Sequence, residues 1–269
     1  MGLRKLVTPG PLKKWGDPGV SGVLPVCLND ATKAVEYLHM MSKEYVGVCE
    51  MHREFDEKDL RKWVEKLTGV IYQRPPVKSS VKRALRRRMI LRFTIEDIAG
   101  RRFVFRVVTE PGTYIRKLLH DLGLLVGVGA HMVELRRTRD GFLSEESSST
   151  LLELYAAWYL YSKEGDDRLL RKTVKPVEDA LKGFPSIYIK DSAVAAVAHG
   201  APLAAKGVSK IDHPLTKGDA VCIKTLKGEC VGFGVLTMDS DEVIHAKSGV
   251  VATVERVVME RTLYPKTWG

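Results

Sequence analysis

The sequence predicts an α/β (α+β) domain followed by a smaller β-rich domain, and three observations carry that expectation. Strand and helix periods alternate between residues 45 and 126; short β segments recur between tight turns beyond residue 183; and nearly all of the net positive charge lies in the first two-thirds of the chain. A chain of 269 residues can bury a core without staples, and 45% hydrophobic with 28% charged content belongs to a folded globular protein.

Residues 45–51 (YVGVCEM) have the pattern of a strand, and Leu60, Trp63, Val64 and Leu67 fall on one face of a helix over 57–67. The period then drops to two. Met89, Leu91, Phe93 and Ile95 alternate, Gly100 sits in a turn, and Phe103, Phe105 and Val107 alternate again, which predicts an antiparallel hairpin with one buried face. Thr113 is placed to cap a helix whose apolar stripe is Tyr114, Ile115, Leu118, Leu119, Leu122, Leu125 and Val126, with Arg116 and His120 on its other face. The Ser/Glu stretch 144–149, the helix-like run LLELYAAWYLYSKE and Gly165-Asp166-Asp167 separate two parts of different composition. This predicts domains 1–183 and 184–269. In the second, Asp219–Leu226, Glu229–Leu236 and Gly249–Met259 are short strands punctuated by Lys217-Gly218-Asp219 and Lys227-Gly228-Glu229, the pattern of a small barrel.

Lys and Arg number 43 against 33 acidic residues, a net charge of +10. Residues 184–269 hold ten basic and nine acidic residues, so +9 belongs to the first domain. Such a field draws polyanions, nucleic acid above all. From Arg74 to Ile95 the chain carries Arg74, Lys78, Lys82, Arg83, Arg86, Arg87, Arg88 and Arg92 and no acid, a repulsive cluster unless phosphates come to meet it. Arg136, Arg137 and Arg139 form a second cluster after Gly127-Val128-Gly129-Ala130-His131, which follows a helix and so is not a dinucleotide fingerprint. Cys27, Cys49, Cys222 and Cys230 lack metal or redox spacing and read as buried hydrophobes in a reducing compartment. The start lacks the apolar core of a signal peptide and no run approaches 18 apolar residues, so the expectation is a soluble intracellular protein. The seven His residues form no triad. On residues alone, Asp17-Pro18-Gly19 reads as a turn and Tyr45 as a packing residue, whereas Arg116 stands where a guanidinium can grip a carboxylate or phosphate with two bonds.

Five segments in order resemble the archaeal and eukaryotic dyskerin-type pseudouridine synthases, the TruB-like branch whose members work in H/ACA ribonucleoproteins. They are Asp17-Pro18-Gly19-Val20-Ser21-Gly22-Val23-Leu24-Pro25-Val26, Lys43-Glu44-Tyr45, Arg74-Pro75-Pro76, Gly112-Thr113-Tyr114-Ile115-Arg116, and Gly127 to Met132 running on to Glu134-Leu135-Arg136-Arg137-Thr138-Arg139. The tail from Ile189 to Lys266 resembles that family's PUA domain. The resemblance implies a mixed-sheet catalytic domain, a β-barrel PUA domain, and no metal or organic cofactor. It makes Asp17 the catalytic carboxylate, Tyr45 the ring that stacks on the flipped uracil, Arg116 the partner that holds Asp17 ionised and aimed, and Leu135 the apolar wall. The basic clusters would bind RNA. The implied partners are an H/ACA guide RNA, its substrate RNA (rRNA or tRNA) and small accessory proteins, with no membrane; the location would be cytoplasmic in a prokaryote and nucleolar in a eukaryote.

The family also carries Lys-Pro-x-Gly and Gly-His-x-Gly-Thr-Leu ahead of the catalytic Asp, and the 16 residues before Asp17 contain neither. The expectation is an abbreviated N-terminus that leaves a sheet edge open. Val7-Thr8-Pro9-Gly10-Pro11 is also what codons for Gly-His-Ala-Gly-Thr yield when read one nucleotide late. The alternatives are a noncatalytic RNA-binding scaffold of the same fold and a PUA-containing transglycosylase, which would want a zinc site that the scattered cysteines do not offer.

Overall fold

A computed structural model describes residues 20–75 and 84–265; Asp17, Lys78, Lys82 and Arg83 lie outside the described residues, as do residues 7–11. By contacts the chain forms two compact units. One takes in the chain up to Pro25 together with Met40–Ser148, the other Val26–His39 together with the chain from Ser149 on. This division differs from a cut at 183, because Val26–His39 and the helices after Ser149 fall in the same unit as the C-terminal sheet.

The first unit opens with β1 (Val20–Gly22). Gly22 has φ +98°, and a Cβ there would stand 2.1 Å from the Arg137 carbonyl oxygen, so only glycine lets β1 close against its neighbour. The chain then leaves for the second unit through a 3₁₀ turn, Asn29–Ala34, and α1 (Val35–His39). It returns as β2 (Lys43–Met51), α2 (Glu57–Lys66), β3 (Gly69–Gln73), β4 (Arg86–Ala99), β5 (Arg102–Thr109), α3 (Ile115–Val126), β6 (Ala130–Asp140) and β7 (Leu143–Ser144). The strands form one mixed sheet in the order β1-β6-β2-β5-β4-β3, with β7 on β6 and only the β1–β6 pair parallel. The predicted hairpin turns at Gly100, φ +58°.

One face of this sheet carries Cys49, Met51, Ile90, Phe93, Phe103, Phe105, Val107 and Leu135, and α2 and α3 pack on it through Leu60, Val64, Ile115, Leu118, Leu119 and Leu122. The predicted stripe of α3 is buried from Ile115 to Leu122 and half-buried at Tyr114 and Val126, whereas Leu125, which the stripe included, is 40% exposed. The helix cap differs: Tyr114 is the N-cap residue and makes no side-chain cap, while the Thr113 hydroxyl donates to the Glu110 carbonyl at 3.0 Å. On the opposite face stand Glu44, Val46, Val48 and Glu50 of β2 with Arg102, Val104, Arg106 and Val108 of β5, which pair in register.

The second unit contains α4 (Leu151–Glu164), α5 (Arg168–Thr173), α6 (Val177–Ala180), β8 (Ser186–Ile189), α7 (Asp191–Ala198), β9 (Leu203–Ala204), β10 (Val208–Ile211), β11 (Ala220–Thr225), β12 (Cys230–Leu236), α8 (Ser240–His245) and β13 (Val250–Val257). Its six strands run β10-β8-β11-β12-β13-β9 in a nearly closed, barrel-like sheet around Ile187, Ile189, Val221, Ile223, Val231 and Val251. Thr150 and Glu153 cap α4 reciprocally. Tyr37 of α1 is 2% exposed, stacks on Phe233 of β12 (centroids 3.9 Å, planes 7° apart), meets Phe184 edge-on, and donates to Glu255 at 3.0 Å. The excursion through α1 is thus part of this unit's core. Cys222 and Cys230 are buried with their Sγ atoms 3.5 Å apart, and Cys49 is also buried, while Cys27 is half-buried. Among the described residues no helix is long and apolar enough to cross a membrane.

Candidate active site

The site is built where β2 passes between β5 and β6. Pairing of β2 with β6 slips twice, once at Val133 and once at Thr138, because β6 holds an extra residue at each place. The register partners are therefore Met51 with Ala130, Cys49 with Met132, Gly47 with Leu135, Tyr45 with Arg137 and Lys43 with Asp140, all on the helix-covered face. A straight strand would have turned Arg139 inward beside Arg137; the bulge at Thr138 turns Asp140 inward instead. Arg136 and Arg139 face the other way.

Tyr45 and Leu135 are diagonal neighbours on this face. Leu135 is 4% exposed and lies over Gly47, where an added Cβ would stand 3.0 Å from the leucine Cδ1 and 2.5 Å from the Glu134 carbonyl. The half-buried Tyr45 ring packs against the core, and burial pushes its phenol up; the nearby charge of Arg137 pulls it back, and Asp140 adds a further upward push. A tyrosine ring beside an apolar wall offers a π-face to a base that has left its stack. Arg116 is exposed on the first turn of α3, the helix that packs on the same face.

Gln73, 2% exposed, sets where that helix begins: its Oε1 accepts from the Tyr114 amide at 3.0 Å and its Nε2 donates to the Tyr114 carbonyl at 3.2 Å. Arg88 holds the preceding loop, donating from Nε to the Gly112 carbonyl at 3.0 Å with Glu110 3.6 Å away. Sequence reasoning missed Gln73, because an amide at a strand end carries no signal of its own. It also missed Glu44. That carboxylate is 6% exposed and accepts from Arg92, Arg106, Arg139 and the Thr138 hydroxyl; an acid inside a strand that otherwise alternates valines was the available clue.

Carboxylates already engage the second basic cluster. Arg136 pairs with Glu145, Arg139 with Glu44, and Arg137, 13% exposed, with Asp140. In the first cluster, Arg74 and Arg87 are exposed, Arg86 and Arg88 half-buried. Among the described residues no group of three His, Cys, Asp or Glu is arranged to hold a metal ion.

Comparison with known proteins gives the same fold and order. Residues 15–115 match the TruB family pseudouridylate synthase N-terminal domain, 116–182 the tRNA pseudouridylate synthase B C-terminal domain, and 185–258 the PUA domain. Among curated relatives, the "Probable tRNA pseudouridine synthase B" of Archaeoglobus fulgidus is 46% identical over 94% of this chain and 78% of its own length, and that of Korarchaeum cryptofilum 44% identical over 98% and 82%. Among solved structures, the chain resembles one in a Cbf5-Nop10-Gar1 complex (45% identity, TM-score 0.90, 93% of this chain and 77% of that one). It also resembles one in an H/ACA RNP bound to a substrate RNA containing 2'-deoxyuridine (43%, TM-score 0.86, 94% and 77%). With three consecutive domain matches spanning residues 15–258 and relatives of this identity along nearly its whole length, the chain belongs to the TruB family of pseudouridine synthases, in its dyskerin-type branch.

Proposed function

We propose that this chain isomerises uridine to pseudouridine in rRNA or tRNA, with residues 1–183 as the catalytic domain and 184–269 as the RNA-binding PUA domain. The observation that carries the reading is 45% identity with a TM-score of 0.90 to a chain of a Cbf5-Nop10-Gar1 complex. By the same likeness its partners are an H/ACA-type guide RNA, the substrate RNA and small accessory proteins. It would work in the cytoplasm of a prokaryote or the nucleolus of a eukaryote.

Asp17 is the reacting carboxylate in this reading, and Arg116 keeps it ionised and oriented, since an adjacent guanidinium favours the charged form. Tyr45 stacks on the flipped uracil and Leu135 closes the apolar side. The carboxylate assists cleavage of the N-glycosidic bond, by attack on the sugar or by removing a proton from it, and the rotated base rejoins through carbon. Arg74, Lys78, Lys82, Arg83, Arg86 and Arg87 bring phosphates to the site. The test is isomerisation by the 269-residue chain with and without guide RNA, beside Asp17→Asn. The variant is expected to lose turnover while RNA affinity stays within a few-fold, because a neutralised acid weakens no phosphate contact. An inactive parent that still binds guide RNA would favour the scaffold reading; equal turnover by parent and variant would remove Asp17 from the mechanism.

A further inference from the structure

Asp140 is a carboxylate that no step of the reaction uses, yet it is 7% exposed and engaged on both oxygens. Its Oδ1 lies 3.0 Å from Lys43 Nζ and its Oδ2 3.1 Å from Arg137 Nη1. Lys43 is also fixed from behind, its Nζ donating to the Met41 carbonyl at 2.8 Å. Arg137 turns its remaining donors inward: Nε donates to the Val23 carbonyl at 2.7 Å, and the guanidinium shares the helix-covered face with Tyr45, its register partner on β2. The Val23 amide returns a bond to the Arg137 carbonyl at 2.8 Å.

Three strands meet at this one side chain. Arg137 belongs to β6, Tyr45 to β2, and Val23 directly follows β1, which begins three residues after Asp17 in the sequence. A planar fork with five donors can grip Asp140 and Val23 at fixed angles beside Tyr45, as an ammonium cannot. Asp140 sets the plane of that fork, and it faces inward only because of the bulge at Thr138. A phosphate-binding arginine would be exposed; this one is 13% exposed and already neutralised.

We propose that Arg137, oriented by Asp140, is a positioning residue that holds the Tyr45 ring and the segment after Asp17 in one register, so that stacking face and carboxylate meet the uridine together. This rests on the reading of Asp17 and Tyr45 given above. Turnover then depends on Arg137 through geometry, since a displacement of about 1 Å at a reacting group is enough to cost orders of magnitude in rate.

The experiment uses the full chain carrying tyrosine labelled with carbon-13 at Cζ, a nucleus sensitive to the charges and bonds around the hydroxyl; loss of one resonance in Tyr45→Phe identifies the signal. That resonance is expected to move in Arg137→Gln and Asp140→Asn and to stay in place in Arg136→Gln, whose side chain faces the other side of the sheet. Single-turnover isomerisation should fall about 10- to 100-fold in Arg137→Gln, the rate equivalent of one charge-assisted hydrogen bond, with RNA affinity within a few-fold. In a Tyr45→Phe background the same substitution should cost several-fold less, because the hydroxyl its charge acts on is gone. Should Asp140→Asn fail to fold, Arg137→Lys keeps the charge next to Asp140 but cannot grip both Asp140 and Val23 at those angles, and the same loss is expected with melting preserved. An unmoved Tyr45 resonance, fully independent effects of the two substitutions, or a loss confined to RNA affinity would overturn the proposal. If the parent does not isomerise uridine, the functional reading fails by itself, and the resonance still decides whether Arg137 holds Tyr45.

Discussion

Replacing Glu44 by Gln removes the charge at the junction of three arginines without changing the volume at a nearly buried position. Its Oε2 accepts from Arg92 at 3.1 Å and Arg139 at 3.2 Å, and its Oε1 from Arg106 and from the Thr138 hydroxyl, both at 3.0 Å. The partners are unequal. Arg92 and Arg139 are 55% and 52% exposed, so each rehydrates when released and contributes at the level of a surface pair, about 0–1 kcal/mol. Arg106 is 34% exposed, and it and Thr138 bond a carboxylate that is itself out of water, where a hydrogen bond to a charged group contributes about 1.5–3 kcal/mol. Because Gln still accepts through one oxygen, the net cost is about 2–3 kcal/mol, or a fall of roughly 5–10 °C in the melting midpoint of the first unit. The pH dependence supplies a second reading. Burial alone would raise the Glu44 carboxyl, but the Thr138 hydroxyl, Arg139 and Arg106 outweigh it and hold the group below its ordinary value. A group depressed in the folded state stabilises fully above its unfolded value, about 4.3, and that contribution is lost as pH falls through the lower folded value. The gap between parent and Glu44→Gln in urea unfolding should therefore be widest near neutrality and narrow as pH drops below about 4.3. No gap at pH 7, or one that persists unchanged into acid, would refute the assignment of Glu44 as the ionised anchor of β2.

Arg87 and Arg88 are adjacent in sequence but differ in exposure and in partners. Arg87→Gln should lower the slope of log affinity against log salt for duplex RNA by just under one unit, as for one released counterion, whereas Arg88→Gln should leave the slope unchanged and loosen the loop ahead of α3. Equal slope changes measured by filter binding across a salt series would show that Arg88 also meets phosphate. In the second unit, Tyr37→Ala should cost about 3–5 kcal/mol as a large buried ring is lost, and Tyr37→Phe about 1 kcal/mol for the bond to Glu255. Hydrogen exchange should show protection lost in β12 and β13 and kept in β2 and β5; unaltered protection in β12 would exclude α1 from that core.

Periodicity made the regular elements legible. The alternation of Phe103, Phe105 and Val107 reported the inner face of β5, and the stripe from Ile115 to Leu122 reported the buried side of α3. The α1 excursion was not legible, because Tyr37 draws its meaning from Phe233, far away in the chain, and no local period encodes such a partner. Clusters of charge were the least legible of all. Arg136, Arg137 and Arg139 look like one basic patch when read along the chain, yet strand alternation turns Arg137 away from Arg136, and a single extra residue at Thr138 sends Arg139 to the face of Arg136 instead of leaving it beside Arg137. Once separated, each meets a carboxylate: Glu145, Asp140 and Glu44 respectively. The positive field of the first domain therefore overstates what is available to RNA. Sequence counts every guanidinium alike, whereas a sheet with charged residues on both faces commits some of them to holding its own strands in register. Arg87, exposed among the described residues of the first cluster, and Arg137, paired with Asp140 on the face it shares with Tyr45, mark the two ends of that division: in the proposed reading the first attracts the substrate and the second aims the residue that meets it.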